Sequence, residues 1–229
     1  MNRPNILIVD HWENHERRIL ALLKRALILL NEQDLSLLKD ELALNKELSH
    51  CFQRALRELR EAGEPEPSRP KLNLIKQGDM QDDGAVYGEG TIPDFTVDCI
   101  DHAQGSEFPD RPYNIECKRL GSFAGKRNLC KEYVTEGVQR FVCESHQYGR
   151  NAPAGAMVGY VQGSDVGAMV STINGHNEKC GMAVCQLVCS EGTGAMVELS
   201  QELHRPFPIT PFRLNHCWAD LRHHYQAVG

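Results

Sequence analysis

The sequence lacks the long apolar run that a membrane-spanning helix needs. No stretch of 18 apolar residues occurs, and the nearest candidate, residues 19–30, contains Lys24 and Arg25. The opening residues, MNRPNILIVDHWENHE, also lack the apolar stretch and small-residue cleavage site of a secretory signal. We therefore expect a cytoplasmic protein with no membrane partner.

The sequence also lacks any CxxC pair. Its nine cysteines are an odd number, and they are scattered through apolar surroundings such as AVCQLVC, so we expect reduced, buried thiols rather than a disulfide framework. A zinc site could be imagined from His176, Cys180, Cys185 and Cys189. Their irregular spacing across an apolar, strand-like run argues against that site.

What the chain does have is enough length for one sizeable core. With 229 residues, of which 41% are apolar, we expect one compact α/β domain. The formal charge of −6 is unevenly spread: residues 77–110 hold nine acidic residues and no Lys or Arg, whereas residues 111–150 hold eight Lys or Arg against four Glu. An acidic stretch followed by a basic one is compatible with metal ions bound beside phosphates. It is equally compatible with two solvated surfaces of opposite charge.

Helical periodicity dominates the first sixty residues. Leu48, Phe52, Leu56 and Leu59 recur at spacings of three and four, and Asn45 could cap a helix start. The predicted helices cover 12–30, 34–43 and 45–62. A stiff loop with three prolines, 63–70, follows.

Apolar and polar residues then alternate, as is typical of strands. The predicted strands cover 71–76, 91–100, 113–120, 154–162, 181–189 and 194–203. We expect strand 154–162 to be central because it is apolar on both faces. Predicted helices cover 131–149 and 164–176, the second capped by Ser164, and a short final segment covers 216–226.

Two of these predicted strands contain the candidate catalytic residues. Asp94 follows a proline in TIPDFTVDC, and YNIECKRL places Glu116 and Lys118 two residues apart, so that they share one strand face. If the strand with Asp94 pairs beside the other, two carboxylates and an ammonium converge. Such carboxylates can hold Mg²⁺, and the ammonium can assist a water nucleophile, which suits phosphodiester hydrolysis.

The segments IPD and IECK, 22 residues apart from Asp94 to Glu116, resemble the PD-(D/E)xK nuclease superfamily, also called restriction endonuclease-like. The segments YVTEGVQRF, MVGYV and LHRPFPITPFRLNHCWADL are similar to parts of uncharacterised bacterial nucleases of this type. The resemblance implies a restriction endonuclease-like three-layer α/β/α core with a mixed central sheet over residues 45–229. Residues 1–44 would form an N-terminal helical extension.

The resemblance also implies roles for matched residues. Asp94 and Glu116 become metal ligands together with the backbone carbonyl of Cys117, and Lys118 positions or activates the attacking water. Many members add an acid from the first helix. Glu47 is the first candidate for that acid, and Glu41 is the second.

Basic residues after the motif could form a phosphate track. The candidates are Arg119, Lys126, Arg127 and Arg140, each of which could equally be a solvated surface residue. Four further residues could approach the site or could serve only structural or surface roles: Asp98, His204, Arg205 and His216. The implied cofactor is Mg²⁺, with Mn²⁺ as a substitute.

The expected function is Mg²⁺-dependent hydrolysis of DNA phosphodiester bonds, leaving 5′-phosphate ends, by an endo- or exodeoxyribonuclease. By resemblance it is an effector in defence against foreign DNA. The expected partner is DNA, and a homodimer or a regulatory or complex-forming protein partner is compatible with the sequence. Two alternatives stay open: a catalytically weak nuclease-fold subunit serving as a nucleic-acid-binding or assembly module, and cleavage of RNA.

Overall fold

The computed structural model describes residues 6–36, 40–64, 67, 69–73, 92–98, 111–121, 127–163, 165–187 and 196–225, without the side chains of residues 6–11. Some predicted features lie outside the described residues. They include the segment 74–76 of the first predicted strand, the proposed cap Ser164, the phosphate-track candidate Lys126 and the cysteine Cys189.

Within the described residues, seven strands form one mixed sheet. In chain order they are β1 (Lys71–Leu72), β2 (Phe95–Val97), β3 (Tyr113–Leu120), β4 (Ala154–Val161), β5 (Gln186–Leu187), β6 (Met196–Leu203) and β7 (Phe212–Asp220). The spatial order is β1-β2-β3-β4-β7-β6-β5. The central strands β3, β4 and β7 run parallel, and the outer pairings are antiparallel.

Helices cover both faces of this sheet. They are α1 (Ile6–Asn31), α2 (Glu41–Glu61), α3 (Leu129–Thr135), α4 (Val166–Lys179), α5 (Arg222–Tyr225) and a 3-10 helix (Val138–Phe141). The first two pack on one face, while α3, the 3-10 helix and α4 pack on the other. The protein is therefore an α/β fold with a mixed open sheet, compatible with a three-layer arrangement.

Strand β4 lies at the centre of both cores. All eight of its residues are buried, as the prediction of a central strand requires. Because successive side chains alternate between faces, Val158 and Tyr160 pack with α1 and α2, while Met157 and Val161 pack with α3 and α4.

Helix α1 belongs to the first of these cores. Ile19, Leu22 and Leu23 are at most 1% exposed, and they share one buried cluster with residues of α2 and the sheet. The predicted boundary between residues 1–44 and 45–229 falls inside α2. Burial of α1 therefore contributes directly to the core that supports the sheet.

The predicted start of α2 is wrong. Asp40 is the N-cap, because its side chain accepts from the backbone N–H of Ala43, and the helix then runs without interruption through Asn45. Residues 34–36 are not helical, so a separate helix over 34–43 does not form. Asn45 is therefore a buried residue within the helix and not its N-cap.

Strand β7 begins four residues before the short final segment that the sequence predicts, and it lies in the middle of the sheet. Eight of its nine residues pair in parallel with β4, and eight pair antiparallel with β6. Arg213 and Asn215 interrupt its apolar pattern, but both side chains bond to the buried carboxylate of Glu16 on α1. The polar residues therefore find partners far away in sequence.

The described cysteines are all free. Five are buried, as predicted, but Cys143 and Cys180 are exposed. Among the helices that the structure describes, none combines the length and the apolar character needed to cross a bilayer.

Candidate active site

The predicted motif residues meet where β2 begins beside β3. Phe95 pairs with Ile115 in antiparallel register, so continuing this register places Asp94 across from Glu116. Asp94 Oδ2 accepts from the backbone N–H of Cys117 at 2.7 Å. One hydrogen bond thus fixes the Asp94 carboxylate to the strand that carries the other two motif residues.

Glu116 and Lys118 form a buried ion pair on one face of β3. Lys118 Nζ lies 2.7 Å from Glu116 Oε1, as their spacing of two residues along a strand predicts. Arg140, from the 3-10 helix, donates to the same oxygen at 2.6 Å. The other carboxylate oxygen, Glu116 Oε2, is buried without a hydrogen-bond partner.

The third carboxylate at this cluster comes from Glu41, at the first turn of α2. Glu41 Oε1 accepts from Lys118 Nζ at 3.0 Å. Glu47, the first candidate, instead lies 3.5 Å from His50 of its own helix. Helical geometry explains this difference in contacts, because Glu41 and Asn45 lie four residues apart on one helix face, whereas Glu47 is rotated by roughly 200° from Asn45.

Two contacts that the sequence did not reveal support Asp94. Asn45 donates its side-chain amide to Asp94 Oδ1 at 3.0 Å, and Tyr160 of β4 donates to Asn45 Oδ1 at 2.8 Å. The only available signal in the sequence was the position of Asn45 at the start of the predicted helix 45–62, which also contains Glu47. Its partners lie on strands that only folding brings near.

Gly137 also shapes the site. A Cβ atom there would lie 2.4 Å from the Tyr133 carbonyl oxygen, 2.5 Å from Met157 Cε and 3.4 Å from Lys118 Cγ. The overlap with the Tyr133 carbonyl oxygen and Met157 is what requires glycine here, and the chain then places Arg140 beside Glu116 three residues later.

Burial and neighbouring charges shift the pKa values of the groups in this cluster. Burial and the Asp94 charge raise the pKa of Glu116 to about 8, although Lys118 and Arg140 favour its ionised form. Burial likewise raises the pKa of Asp94, against the influence of Lys118 and the Cys117 N–H. Burial alone would lower the pKa of Lys118, but the surrounding carboxylates outweigh burial and raise it.

Among the basic candidates, Arg140 contacts the motif carboxylate of Glu116 through its side chain. Arg127 is exposed and makes a forked ion pair with Glu132. Arg119 is half-buried, and its backbone N–H donates to Glu41 Oε2 at 3.4 Å.

The four further candidates lie elsewhere. Asp98 pairs with Lys71, and His204 lies 3.7 Å from Glu202. Arg205 is buried and donates to backbone carbonyls. His216 is fully buried beside Tyr133, and burial lowers its pKa to about 3.

The donor chemistry at the motif fits a hard divalent cation. Carboxylates and a backbone carbonyl are the oxygen ligands that Mg²⁺ takes, and Glu116 Oε2 is a buried acceptor with unused capacity. Across the described residues, however, no three or more His, Cys, Asp or Glu residues are arranged to hold a metal ion. In the structure, Glu116 Oε1 contacts the Lys118 ammonium and the Arg140 guanidinium, and Glu41 contacts the Lys118 ammonium.

The chain was compared with protein-family models, with curated proteins and with solved structures. None of the three comparisons found a match.

Proposed function

We propose that this chain is a Mg²⁺-dependent nuclease of the PD-(D/E)xK, restriction endonuclease-like type, which hydrolyses DNA phosphodiester bonds. The observation that carries the proposal is the meeting of Asp94, Glu116 and Lys118 at the β2–β3 junction. A mixed α/β sheet with helices on both faces is compatible with this fold type. DNA as the substrate rests on the motif resemblance.

Lys118 is the group best placed to act on the attacking water. Its ammonium lies among oxygens of Glu116 and Glu41, and its side chain is 11% exposed. There it would orient a water molecule for in-line attack on phosphorus. A positive group at this position also lowers the energy of the negative charge that develops on the phosphate.

Arg140 supplies a second positive charge. Its contact with Glu116 Oε1 holds the guanidinium at the motif, where it could also bind a phosphate oxygen. Asp94, Glu116 and the Cys117 carbonyl would hold Mg²⁺ or Mn²⁺, and the bound cation would supply Lewis-acid stabilisation of the phosphate charge. Asn45 and the Cys117 N–H keep the Asp94 carboxylate oriented.

The test is cleavage of supercoiled plasmid, linear duplex, single-stranded DNA and RNA by the purified protein, with Mg²⁺ or with EDTA. Cleavage should require the divalent cation, and Lys118→Ala should lower kcat/KM at least about 100-fold. Lys179→Ala, which removes an exposed lysine at the end of α4, is the matched control and should cleave at the parent rate. Circular dichroism and urea unfolding would establish that both variants are folded.

Two results would overturn the proposal. One is EDTA-resistant cleavage that Lys118→Ala leaves unchanged, and the other is failure of the folded parent to cut any of the four substrates. The second result would favour a nucleic-acid-binding or assembly module. The observation that supports this alternative is that Lys118, Glu116 and Glu41 are ion-paired with one another.

A further inference from the structure

The Lys118 ammonium has a complete set of partners. Its nitrogen lies 2.7 Å from Glu116 Oε1, 3.0 Å from Glu41 Oε1 and 3.0 Å from the Cys117 carbonyl oxygen. An ammonium has three N–H donors, so each donor meets one oxygen. Lys118 thus satisfies its hydrogen-bonding capacity entirely within the candidate site.

The carboxylates of the candidate site can carry more negative charge than the Lys118 ammonium neutralises. Asp94, Glu116 and Glu41 are three carboxylates, and Lys118 and Arg140 are two cations, so full ionisation leaves one uncompensated negative charge. In addition, Glu116 Oε2 is buried without a partner. A divalent cation would match this surplus charge and this unused oxygen better than an ammonium does.

The ammonium and a divalent cation cannot both contact Glu116 Oε1 and the Cys117 carbonyl oxygen. Mg²⁺ binds oxygen at about 2.0–2.1 Å and prefers six ligands, so an ion on Glu116 Oε1 and the Cys117 carbonyl would lie against Lys118 Nζ. Two positive centres in contact inside a largely buried site repel strongly. One of them must leave.

We propose that the Lys118 ammonium is an internal competitor for the divalent-cation site, so that cation binding requires Lys118 to withdraw from Glu116 and Glu41. This inference rests on the proposed function and adds a control on when the site is loaded. The structure provides an exit, since the side chain of Glu41 is 32% exposed and borders the ammonium. Lys118 released in this way would be free to contact water and phosphate.

The first test is Mn²⁺ binding without nucleic acid, measured by isothermal titration calorimetry. Lys118→Met removes the charge and leaves an unbranched side chain one atom shorter, and it should bind Mn²⁺ at least about tenfold more tightly than the parent. Lys118→Arg keeps the charge and should bind no more tightly than the parent. Lys179→Met is the matched control, and its Mn²⁺ affinity should equal that of the parent.

The second test uses the parent protein, so it does not depend on whether a Lys118 variant folds. An amine-reactive acetylating reagent, followed by peptide mass spectrometry, measures the labelling rate of Lys118. Saturating Mn²⁺ should accelerate labelling of Lys118 several-fold and leave Lys179 unchanged. Unchanged labelling at Lys118, or equal Mn²⁺ affinity in the parent and a folded Lys118→Met variant, would overturn the proposal.

These tests separate this inference from the proposed nuclease activity. If tighter Mn²⁺ binding by Lys118→Met accompanies no cleavage by the parent, the competition stands and the nuclease proposal fails. If the parent cleaves DNA but the Mn²⁺ affinities are equal, the nuclease proposal stands and the competition fails. Absence of Mn²⁺ binding in both proteins refutes the competition.

Discussion

Asn45 of α2 donates its side-chain amide to the Asp94 carboxylate at 3.0 Å, across 49 positions of sequence. Tyr160 of β4 fixes the opposite end of the same amide at 2.8 Å. Asn45 is 2% exposed, so water does not substitute readily for either contact. The helical layer therefore sets the orientation of a motif carboxylate.

The variant Asn45→Ala should weaken both cation binding and catalysis. Outer contacts that orient a ligand typically change affinity or activity about 10–100-fold, and we expect a loss in that range. Tyr160→Phe removes only the support behind Asn45 and should show a smaller loss in the same direction. Mn²⁺ titration and kcat/KM on duplex DNA measure the effect, and parent-like values for folded Asn45→Ala would contradict it.

Gly137→Ala should displace the 3-10 helix that carries Arg140. The new methyl would overlap the Tyr133 carbonyl oxygen and Met157 Cε, and relieving such overlap typically costs about 1–3 kcal/mol of stability. Gly175→Ala in α4 is the matched control, since nothing lies within 4 Å of its Cβ position. Alanine there should be neutral or stabilising by up to about 1 kcal/mol. Urea unfolding distinguishes the two, and equal midpoints would contradict the steric argument.

Arg205 fixes the segment that follows Arg140. Its guanidinium donates to the carbonyl oxygens of five residues and stacks 3.8 Å from the ring centroid of Phe212; the five residues are Phe141, Tyr148, Gly149, Ala152 and Ile209. Burial lowers the pKa of Arg205 to about 10.

The variant Arg205→Met should therefore lose roughly 3–5 kcal/mol of stability, because several carbonyl oxygens would be left without donors. Arg205→Lys should recover only part of this loss, since an ammonium has three donors and no planar fork. Arg150→Met, at an exposed position, is the control and should change stability by less than about 0.5 kcal/mol. Chemical denaturation would measure all three, and a loss for Arg205→Met no larger than the control's would rule out the anchoring role.

His216 takes part in a buried chain of hydrogen bonds. Trp218 Nε1 donates to the Tyr133 hydroxyl oxygen at 2.9 Å, which leaves the tyrosine proton for His216 Nδ1 at 2.7 Å. The histidine proton then lies on Nε2, which faces Cys185 Sγ at 3.6 Å. This assignment satisfies every group in the chain when His216 is neutral.

Protonation of His216 should destabilise the fold in acid. Burial lowers its pKa to about 3, from 6.5 in the unfolded chain, so its stabilising contribution is complete above pH 6.5 and is lost as the pH falls towards 3. The full difference is of the order of several kcal/mol. His216→Asn keeps an acceptor for Tyr133 but does not titrate, so its stability relative to the parent should improve as the pH falls.

The quantity that tests this prediction is the difference in unfolding free energy between His216→Asn and the parent at each pH. The raised pKa of Glu116, about 8, gives a slope of opposite sign, because its contribution is complete below about pH 4.5 and is lost as the pH rises towards 8. Both proteins contain Glu116, so its slope cancels in the comparison. A constant stability difference between pH 6.5 and 3 would contradict the assignment of a buried, neutral His216.

The third acidic residue of the cluster could not be chosen from residue spacing alone. The sequence offers Glu41 at the end of the predicted helix 34–43 and Glu47 near the start of the predicted helix 45–62, and it does not show that one continuous helix carries both. The choice depends on which helix face meets β3, and this is set by packing of Leu44, Leu48 and Phe52 into the core. Rotation of the helix then brings Glu41, and not Glu47, to Lys118.

Local pattern by itself determined the alternating strand around Glu116 and Lys118, the buried central strand β4 and the pairing of acid and lysine on one face. These features follow from the period of two in a strand and from the burial of apolar runs, so neighbouring residues suffice to predict them. Only the tertiary structure decided that β7 is a central strand, that Asn45 supports Asp94 and that Glu41 and Arg140 join the cluster. Those choices depend on contacts between residues far apart in the chain, where buried polar groups select partners that local sequence cannot specify.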